Sequence, residues 1–344
     1  MDLSIVDLSH VPDGASATEA YQQTVELAQR AEELGYERFW VAEHHGMGEF
    51  IAGTTPEVLL GHLAAETSTI RLGSGTVLLN YYQPFKVAEA FGVLDALAPG
   101  RIDLGLGRAT GPPAADRAMG YDTGPKTPDA ADTEHRQKIE ETLAHVRDEF
   151  PADHPYSSLQ LPRSAGDRPE PWLLGSSPSS AKLAGELGLR YCFAGFIRPG
   201  FAEPAFEAYR DAFEPSATGD GPAEPEGMLA LNVVCDETDE AAARLRAPTE
   251  AVYRRMARGR IGDGIPSIET AIDELGAVPE PTPDPLPDGE WSRSISGSPE
   301  TIDSLLTQLA DRVGVDDVMI QHSVPDFADA KRSHELLAEG VGLD

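Results

Sequence analysis

The sequence predicts an α/β protein that forms one (β/α)8 TIM barrel. Short apolar segments alternate with longer amphipathic segments along the chain, which is the order that parallel strands and their connecting helices produce. A length of 344 residues is ordinary for a single α/β barrel. Because 40% of the residues are hydrophobic, the chain can bury a large core without metal or disulfide cross-links.

Eight strands are predicted from short apolar runs that end beside turn residues. They cover residues 3–8, 38–42, 70–79, 102–106, 172–174, 191–194, 229–234 and 318–321. Helices are predicted between them from amphipathic periodicity, with proline near several starts and glycine near several ends. These helices cover residues 19–34, 56–68, 84–97, 133–149, 181–187 and 299–312.

Three segments rich in glycine, proline and acidic residues interrupt this alternation, at residues 110–132, 151–170 and 248–293. In a barrel, such segments enlarge the βα loops over the carboxyl ends of the strands. Linkers to a second domain are the alternative, but no segment between them is long enough to fold alone. We therefore expect one domain over residues 1–344, with these insertions acting as lids.

The chain carries 27 lysines and arginines against 58 aspartates and glutamates, which gives a net charge of −31. Such a surface repels nucleic acid and anionic membranes. The acidic residues are spread along the chain, a pattern that resembles proteins of salt-loving archaea, in which molar salt screens the repulsion. A local acidic patch for a basic partner is the alternative.

Cys192 and Cys235 lie in apolar runs without a histidine or cysteine cluster nearby, so we expect reduced, buried thiols and no metal site. The first residues lack the basic start and long apolar core of a secretory signal. No apolar stretch reaches about 18 residues, the length that spans a membrane. These features predict a soluble, cytoplasmic protein, and the dispersed acidic charge predicts a halophilic one.

Two strand ends carry turns that suit an anion. At the first, Gly105 and Gly107 permit close backbone approach, and Arg108 offers a forked cation. At the second, Ser177 can cap a helix whose first residue is Pro178. The free N–H groups and positive dipole end of that helix favour a phosphate. An ordinary strand-to-helix turn without a ligand is the alternative for each.

Glu43, His44 and His45 follow the second predicted strand, at the end where barrel enzymes hold their reacting groups. Strand alternation lets at most one of the two imidazoles face the barrel mouth, so a paired-histidine metal site is not expected. One histidine is a candidate for proton transfer or for polarising a bound cofactor. A hydrogen-bonded histidine without a catalytic role is the alternative.

Together these motifs resemble the bacterial luciferase-like, flavin-dependent monooxygenase family, over nearly the whole chain. The resemblance rests on four segments in the family's order: Ala42-Glu43-His44-His45, residues 69–79, residues 100–108, and Leu174-Gly175-Ser176-Ser177 with its continuation to residue 189. It implies a (β/α)8 barrel that binds FMN at the carboxyl ends of its strands. Many members take reduced FMN from a separate reductase and use it to activate dioxygen, and the family often forms homodimers.

The resemblance also implies individual roles. Arg108 would hold the FMN phosphate, and His44 matches a histidine beside the reacting edge of the flavin. The Ser74–Gly75 link matches a non-proline cis peptide beneath the flavin ring, while Glu43 and His45 are weaker candidates. The implied cofactor-binding residues are Ser74, Gly75, Arg108, Ser176, Ser177 and Ser180.

Three functions are compatible with these expectations. The first is a monooxygenase that uses reduced FMN as a co-substrate and dioxygen to oxygenate a small organic substrate. Residues 111–121 and 248–293 would shape its substrate site. The second is a hydride-transfer oxidoreductase that uses 8-hydroxy-5-deazaflavin, as relatives with the same barrel do. The third is a flavin-binding protein without turnover. Oxygen uptake separates the first function from the other two.

Overall fold

A closed barrel of parallel strands forms the centre of the computed structural model, which describes residues 1–121, 124, 127–162, 168–217, 219, 221–260 and 264–343. The strands are β1 (Asp2–Asp7), β2 (Arg38–Val41), β3 (Arg71–Ser74), β4 (Val77–Leu78), β5 (Ile102–Gly107), β6 (Glu170–Gly175), β7 (Arg190–Ala194), β8 (Gly227–Cys235), β9 (Ser294–Gly297) and β10 (Asp317–Gln321). Eight of them follow the order β10-β1-β2-β3-β5-β6-β7-β8, and β10 pairs with β8 to close the barrel. The predicted fold is confirmed.

Helices cover the outside of this barrel, as parallel strands require. They are α1 (Ala17–Glu33), α2 (Pro56–Glu66), α3 (Pro84–Leu97), α4 (Pro113–Ala118), α5 (Pro128–Arg147), α6 (Pro178–Glu186), α7 (Ala202–Ala212), α8 (Asp239–Ala257), α9 (Ile268–Leu275), α10 (Pro299–Val313) and α11 (Phe327–Val341). Several starts follow directly from the sequence: Ser16 and Glu19 form a capping box for α1, and Ser177 caps α6 with Pro178 as its first residue.

Two strands fall outside the eight of the barrel. The predicted third strand is divided, because β3 ends at Ser74 and the short β4 pairs separately with β5. The strand β9 pairs with the far end of β8 and begins directly after residues 248–293, the third predicted insertion. Both differences occur at the carboxyl ends of the strands, where the barrel opens into its functional face.

The helices also correct two predicted boundaries. Helix α8 continues through Pro248, the predicted start of the third insertion, to Ala257. In the local sequence Pro248 predicts a helix end. In the fold, Pro248 and its neighbours in the helix are buried by packing. Helix α5 begins at Pro128, inside the first predicted insertion. Parts of all three predicted insertions, residues 122–123, 125–126, 163–167 and 261–263, lie outside the described residues.

The barrel interior is filled by aromatic side chains and small residues. The rings of Trp40 and Trp172 meet edge to face with their centroids 5.6 Å apart. A Cβ at Gly73 would lie 2.3 Å from the Trp40 ring, so only glycine fits at this position of β3. Throughout the part of the chain that the structure describes, no helix is both long and apolar enough to cross a membrane.

Candidate functional site

A cavity of about 750 Å³ opens at the carboxyl ends of the barrel strands. This is where barrel enzymes hold their reacting groups, and its volume is typical of a cofactor site. Six of the seven residues predicted from the sequence line it together: His44, Gly75, Arg108, Ser176, Ser177 and Ser180. Ser74 does not line the cavity. It is fully buried, and its hydroxyl exchanges hydrogen bonds of 3.0 Å with the carbonyl and N–H of Gly105.

One end of the cavity is built for an anion. The Ser177 hydroxyl accepts a hydrogen bond from the Ser180 N–H at 3.2 Å, and the Ser180 hydroxyl donates to the Ser177 carbonyl at 2.8 Å. These bonds fix the first turn of α6, whose dipole points its positive end toward the cavity. A Cβ at Gly175 would lie 2.3 Å from the Ser180 Oγ. The close approach of strand and helix therefore requires glycine at this position.

Three cations line this end, and each is paired with a carboxylate. Arg108 contacts Asp132, Arg136 contacts Glu186, and Lys182 lies 3.7 Å from the same Glu186. Asp132, Arg136, Lys182 and Glu186 also line the cavity, and sequence reasoning missed all four. The i,i+4 spacing of Asp132 and Arg136 is a helical-face signal, but residue 132 was assigned to an insertion rather than to α5.

The opposite side of the mouth holds His44. Its backbone N–H donates to the Gly53 carbonyl at 2.8 Å, which fixes the chain just beyond β2. Burial lowers the pKa of His44 to about 4, with a smaller contribution from His45, so the imidazole is neutral at pH 7. His44 lines the cavity and His45 does not, but β2 ends at Val41, so the loop backbone rather than strand alternation sets this difference.

His45 and Glu43 brace the loops around His44. The Glu43 carboxylate, 2% exposed, accepts hydrogen bonds from the Leu78 N–H at 2.9 Å and the Tyr82 hydroxyl at 2.7 Å, and it lies 2.6 Å from His45 Nε2. Burial raises the pKa of Glu43, and these hydrogen bonds oppose the rise. His45 meets the edge of Tyr81 at 5.2 Å. Both residues therefore position backbone and rings around His44, and Glu43 also lines the cavity, whereas His45 does not.

A non-proline cis peptide bond lies at this site, but the predicted position was wrong. It joins Gly75 to Thr76, one residue later than the predicted Ser74–Gly75 link. Ser74 is held by Gly105, and the Gly75 N–H donates to the Val41 carbonyl at 2.8 Å. These bonds keep residues 74 and 75 on the path of the strand, so the chain turns only after Gly75. Both Gly75 and Thr76 line the cavity.

The donors of this cavity fit a flavin mononucleotide. Arg108 and the start of α6 suit its phosphate, and the Gly75–Thr76 turn with His44 suits its ring end. His44 and His135 line the cavity, and each keeps a buried Nδ1 atom without a hydrogen-bond partner in the described chain. Within those same residues, no group of histidine, cysteine or acidic side chains could hold a metal ion. Cys192 and Cys235 are free and buried.

Comparison with known proteins agrees with this geometry. The model of the luciferase-like monooxygenase family matches residues 1–317. The N-acetyl-S-alkylcysteine monooxygenase of Bacillus subtilis is 40% identical, with 98% of each chain covered, and the luciferase-like monooxygenase of Escherichia coli K12 is 33% identical, with 97% of this chain and 95% of that protein covered.

A solved structure, that of apo-MsnO8, is 39% identical and superposes with a TM-score of 0.85 over 100% of this chain and 99% of its own. The match is therefore continuous along the chain and includes the cavity as well as the barrel. The chain belongs to the luciferase-like monooxygenase family and is a flavin-dependent enzyme of the monooxygenase type.

Proposed function

We propose that this enzyme oxygenates a small organic substrate with reduced FMN and dioxygen. The observation that carries the proposal is the division of one cavity between an anion-binding end at β5 and α6 and a neutral histidine at the end of β2. Bound reduced FMN supplies the activation of dioxygen. A separate flavin reductase is the proposed source of the reduced cofactor, which acts as a co-substrate.

The chain's own groups then have defined tasks. Arg108, Ser176 and the first turn of α6, with Ser177 and Ser180, bind the phosphate. His44 is neutral at pH 7, so it can accept or donate a proton beside the reacting end without adding charge. The Gly75–Thr76 turn, which lines the cavity, would hold the flavin ring. Apolar walls exclude water from the reaction.

A homodimer is part of the proposal. Large apolar side chains are exposed on two adjacent helices: Val58 is 69% exposed on α2, and Val93 and Leu97 are 45% and 67% exposed on α3. Neighbouring exposed apolar side chains favour contact with another protein surface. A second copy of the same helix pair would bury them.

The test is a titration of the purified protein, in molar salt, with oxidised FMN, reduced FMN, riboflavin and 8-hydroxy-5-deazaflavin. We expect reduced FMN to bind tightest and riboflavin, which lacks the phosphate, to bind at least tenfold more weakly. Oxygen uptake above the background of a supplied reductase would support the monooxygenase. Preferred binding of the deazaflavin without uptake would indicate hydride transfer, and flavin binding without uptake would indicate a protein without turnover.

Arg108→Ala separates phosphate binding from general effects of charge. It should weaken FMN binding tenfold or more and leave riboflavin binding unchanged. Arg244→Ala is the matched control, because Arg244 is 47% exposed against 45% for Arg108 and is likewise paired with one carboxylate, Glu269. Equal effects of both variants on FMN would contradict the assignment of Arg108.

A further inference from the structure

The cavity has two chemically different sides around the barrel. Its three described cations, Arg108, Arg136 and Lys182, all belong to the β5 end, α5 and α6. The side formed by β7, β8, β10, β1 and α8 contributes none within the described chain. Its walls are mainly apolar, with residues such as Leu8, Val252 and Met319, and their polar members include His10 and Ser323.

Gln321 is a polar exception on the apolar side. It ends β10, lines the cavity and is only 7% exposed, yet its side-chain amide has no hydrogen-bond partner in the described chain. The amide atoms are not closed off from the cavity, so a ligand there can reach them. A group placed beside a ligand cavity in this way is one that a ligand would satisfy.

Tyr253 is the second exception, and the barrel register brings it to the same place. Gln321 pairs with Asn232 across β10 and β8, and the Asn232 amide donates to the Tyr253 hydroxyl oxygen at 3.0 Å. The guanidinium of Arg293 lies 4.6 Å above the Tyr253 ring, which further fixes the side chain. Because the hydroxyl oxygen accepts from Asn232, its proton is available to a ligand in the cavity.

We infer that Gln321 and Tyr253 form the polar end of a substrate subsite for an uncharged, apolar molecule that carries one hydrogen-bond acceptor, such as a carbonyl oxygen. This inference rests on the proposed function, because it assigns the substrate side of that cavity. The Tyr253 hydroxyl and the Gln321 amide donate to the acceptor, and the apolar walls hold the rest. A carboxylate would lose its hydration there without contacting a cation, because Arg293 lies over the Tyr253 ring and does not line the cavity.

The neutral histidines of this side agree with an uncharged ligand. His10 lines the cavity, and burial lowers its pKa to about 3, with smaller contributions from His322 and His44. At pH 7 the His10 side chain is therefore uncharged and cannot balance the charge of an anionic substrate. The positive charge of Arg293 lies over the Tyr253 ring, and this arginine donates to the Ile197 carbonyl at 3.2 Å.

The test measures equilibrium binding of three probes of equal chain length, 2-octanone, octane and octanoate, to the FMN-loaded protein by ligand-observed NMR. We expect 2-octanone to bind best and octanoate at least tenfold more weakly. Gln321→Met and Tyr253→Phe should each weaken 2-octanone binding about 3- to 10-fold, the range of one hydrogen bond, and leave octane binding unchanged. Gln22→Met, on the exposed side of α1, is the matched control.

Two results would overturn the inference. One is octanoate binding as tightly as 2-octanone; the other is unchanged 2-octanone binding in the variant that combines Gln321→Met with Tyr253→Phe. Far-UV circular dichroism and FMN affinity establish that each variant is folded with its cofactor end intact. Oxygen uptake with reduced FMN is measured separately. A protein that binds 2-octanone as expected but takes up no oxygen would refute the proposed function and leave the subsite assignment standing.

Discussion

At the residue scale, Arg108, the arginine proposed to bind the phosphate, is already paired with a carboxylate. Asp132 pairs with Arg108 at the rim, where both side chains are about half exposed. An anionic cofactor must displace this carboxylate or share the guanidinium with it. Exposed ion pairs are weak, so the pair lowers cofactor affinity without blocking the site, which suits a co-substrate that enters and leaves in each cycle.

Asp132→Asn removes the competing charge and should raise FMN affinity about 3- to 10-fold in low salt. The gain should shrink in molar salt, where charges are screened beyond about 3 Å. Riboflavin affinity should not change, because riboflavin has no phosphate. Titrations of both ligands at two salt concentrations measure this, and Asp311→Asn on α10 is the charge-matched control. A similar gain for riboflavin would show that Asp132 acts on the ring end or on the fold.

His44 is expected to act in the reaction and not in binding. His44→Ala should lower substrate oxygenation by about 10²- to 10⁴-fold, the usual contribution of a proton-transfer group, while FMN affinity changes less than about threefold. Coupled assays of product and oxygen uptake give the first quantity, and FMN titration gives the second. An unchanged rate of product formation with intact FMN affinity would refute the catalytic assignment.

At the element scale, a buried ionic cluster ties several strands together near the opposite end of the barrel. Asp103 of β5 is fully buried, lies 2.6 Å from Arg71 of β3, and lies 3.4 Å from Arg38 of β2. Arg38 also reaches Asp317 of β10 at 3.0 Å. Burial raises the pKa of Asp103, and the hydrogen bonds and charge of Arg71 oppose the rise. The cluster thus fixes the relative positions of four strands.

Asp103→Asn leaves two guanidinium groups without their buried carboxylate and should lower the free energy of unfolding by about 3–5 kcal/mol. Glu170→Gln is a sharp control, because Glu170 contacts the same Arg71 at 3.2 Å but is 34% exposed. It should cost about 1 kcal/mol or less. Denaturant unfolding of both variants in molar salt measures the difference, and equal losses would contradict a special role for the buried partner.

At the scale of the whole molecule, the fold buries several histidines in neutral form. Burial lowers the pKa of His44, His135 and His322 to about 4 and holds that of His334 well below its usual value. His322 and His334 place their Nε2 atoms 2.8 Å apart, so both rings cannot be charged together. In an unfolded chain each histidine has a pKa of about 6.5.

This difference in pKa predicts that the folded protein loses stability at a higher pH than the titration of carboxylates alone would cause. The unfolded chain binds more protons than the folded chain as the pH falls from 6.5 to 4, so stability is lost in that interval, by about 1–2 kcal/mol per histidine at pH 5. Denaturant midpoints between pH 7.5 and 5, in molar salt to screen the net charge of −31, measure the slope. The pair of changes His322→Gln and His334→Gln should flatten the slope, whereas His62→Gln, at an exposed histidine, should not.

The local sequence largely determined the barrel and the positions of its main site residues. Alternating apolar and amphipathic runs reflect the periods of strand and helix, and cap residues such as Ser177 act within one turn. Strands, helices and helix starts can therefore be predicted without knowledge of tertiary contacts. The same holds for Arg108 and His44, because each lies within three residues of the carboxyl end of a strand, which must open at the barrel mouth. Halophily, a cytoplasmic location and the reductase remain predictions.

Tertiary structure alone decided the contacts between residues far apart in the chain. The position of the cis bond depends on hydrogen bonds from Ser74 to Gly105 and from Gly75 to Val41, and α8 passes through Pro248 because surrounding elements bury it. The pairing of Arg108 with Asp132, the register of Gln321 beside Asn232 and the hydrogen bond from Asn232 to Tyr253 likewise exist only in the folded chain. Sequence periodicity carries no information about such partners, because their energy comes from burial and register that exist only in the folded chain.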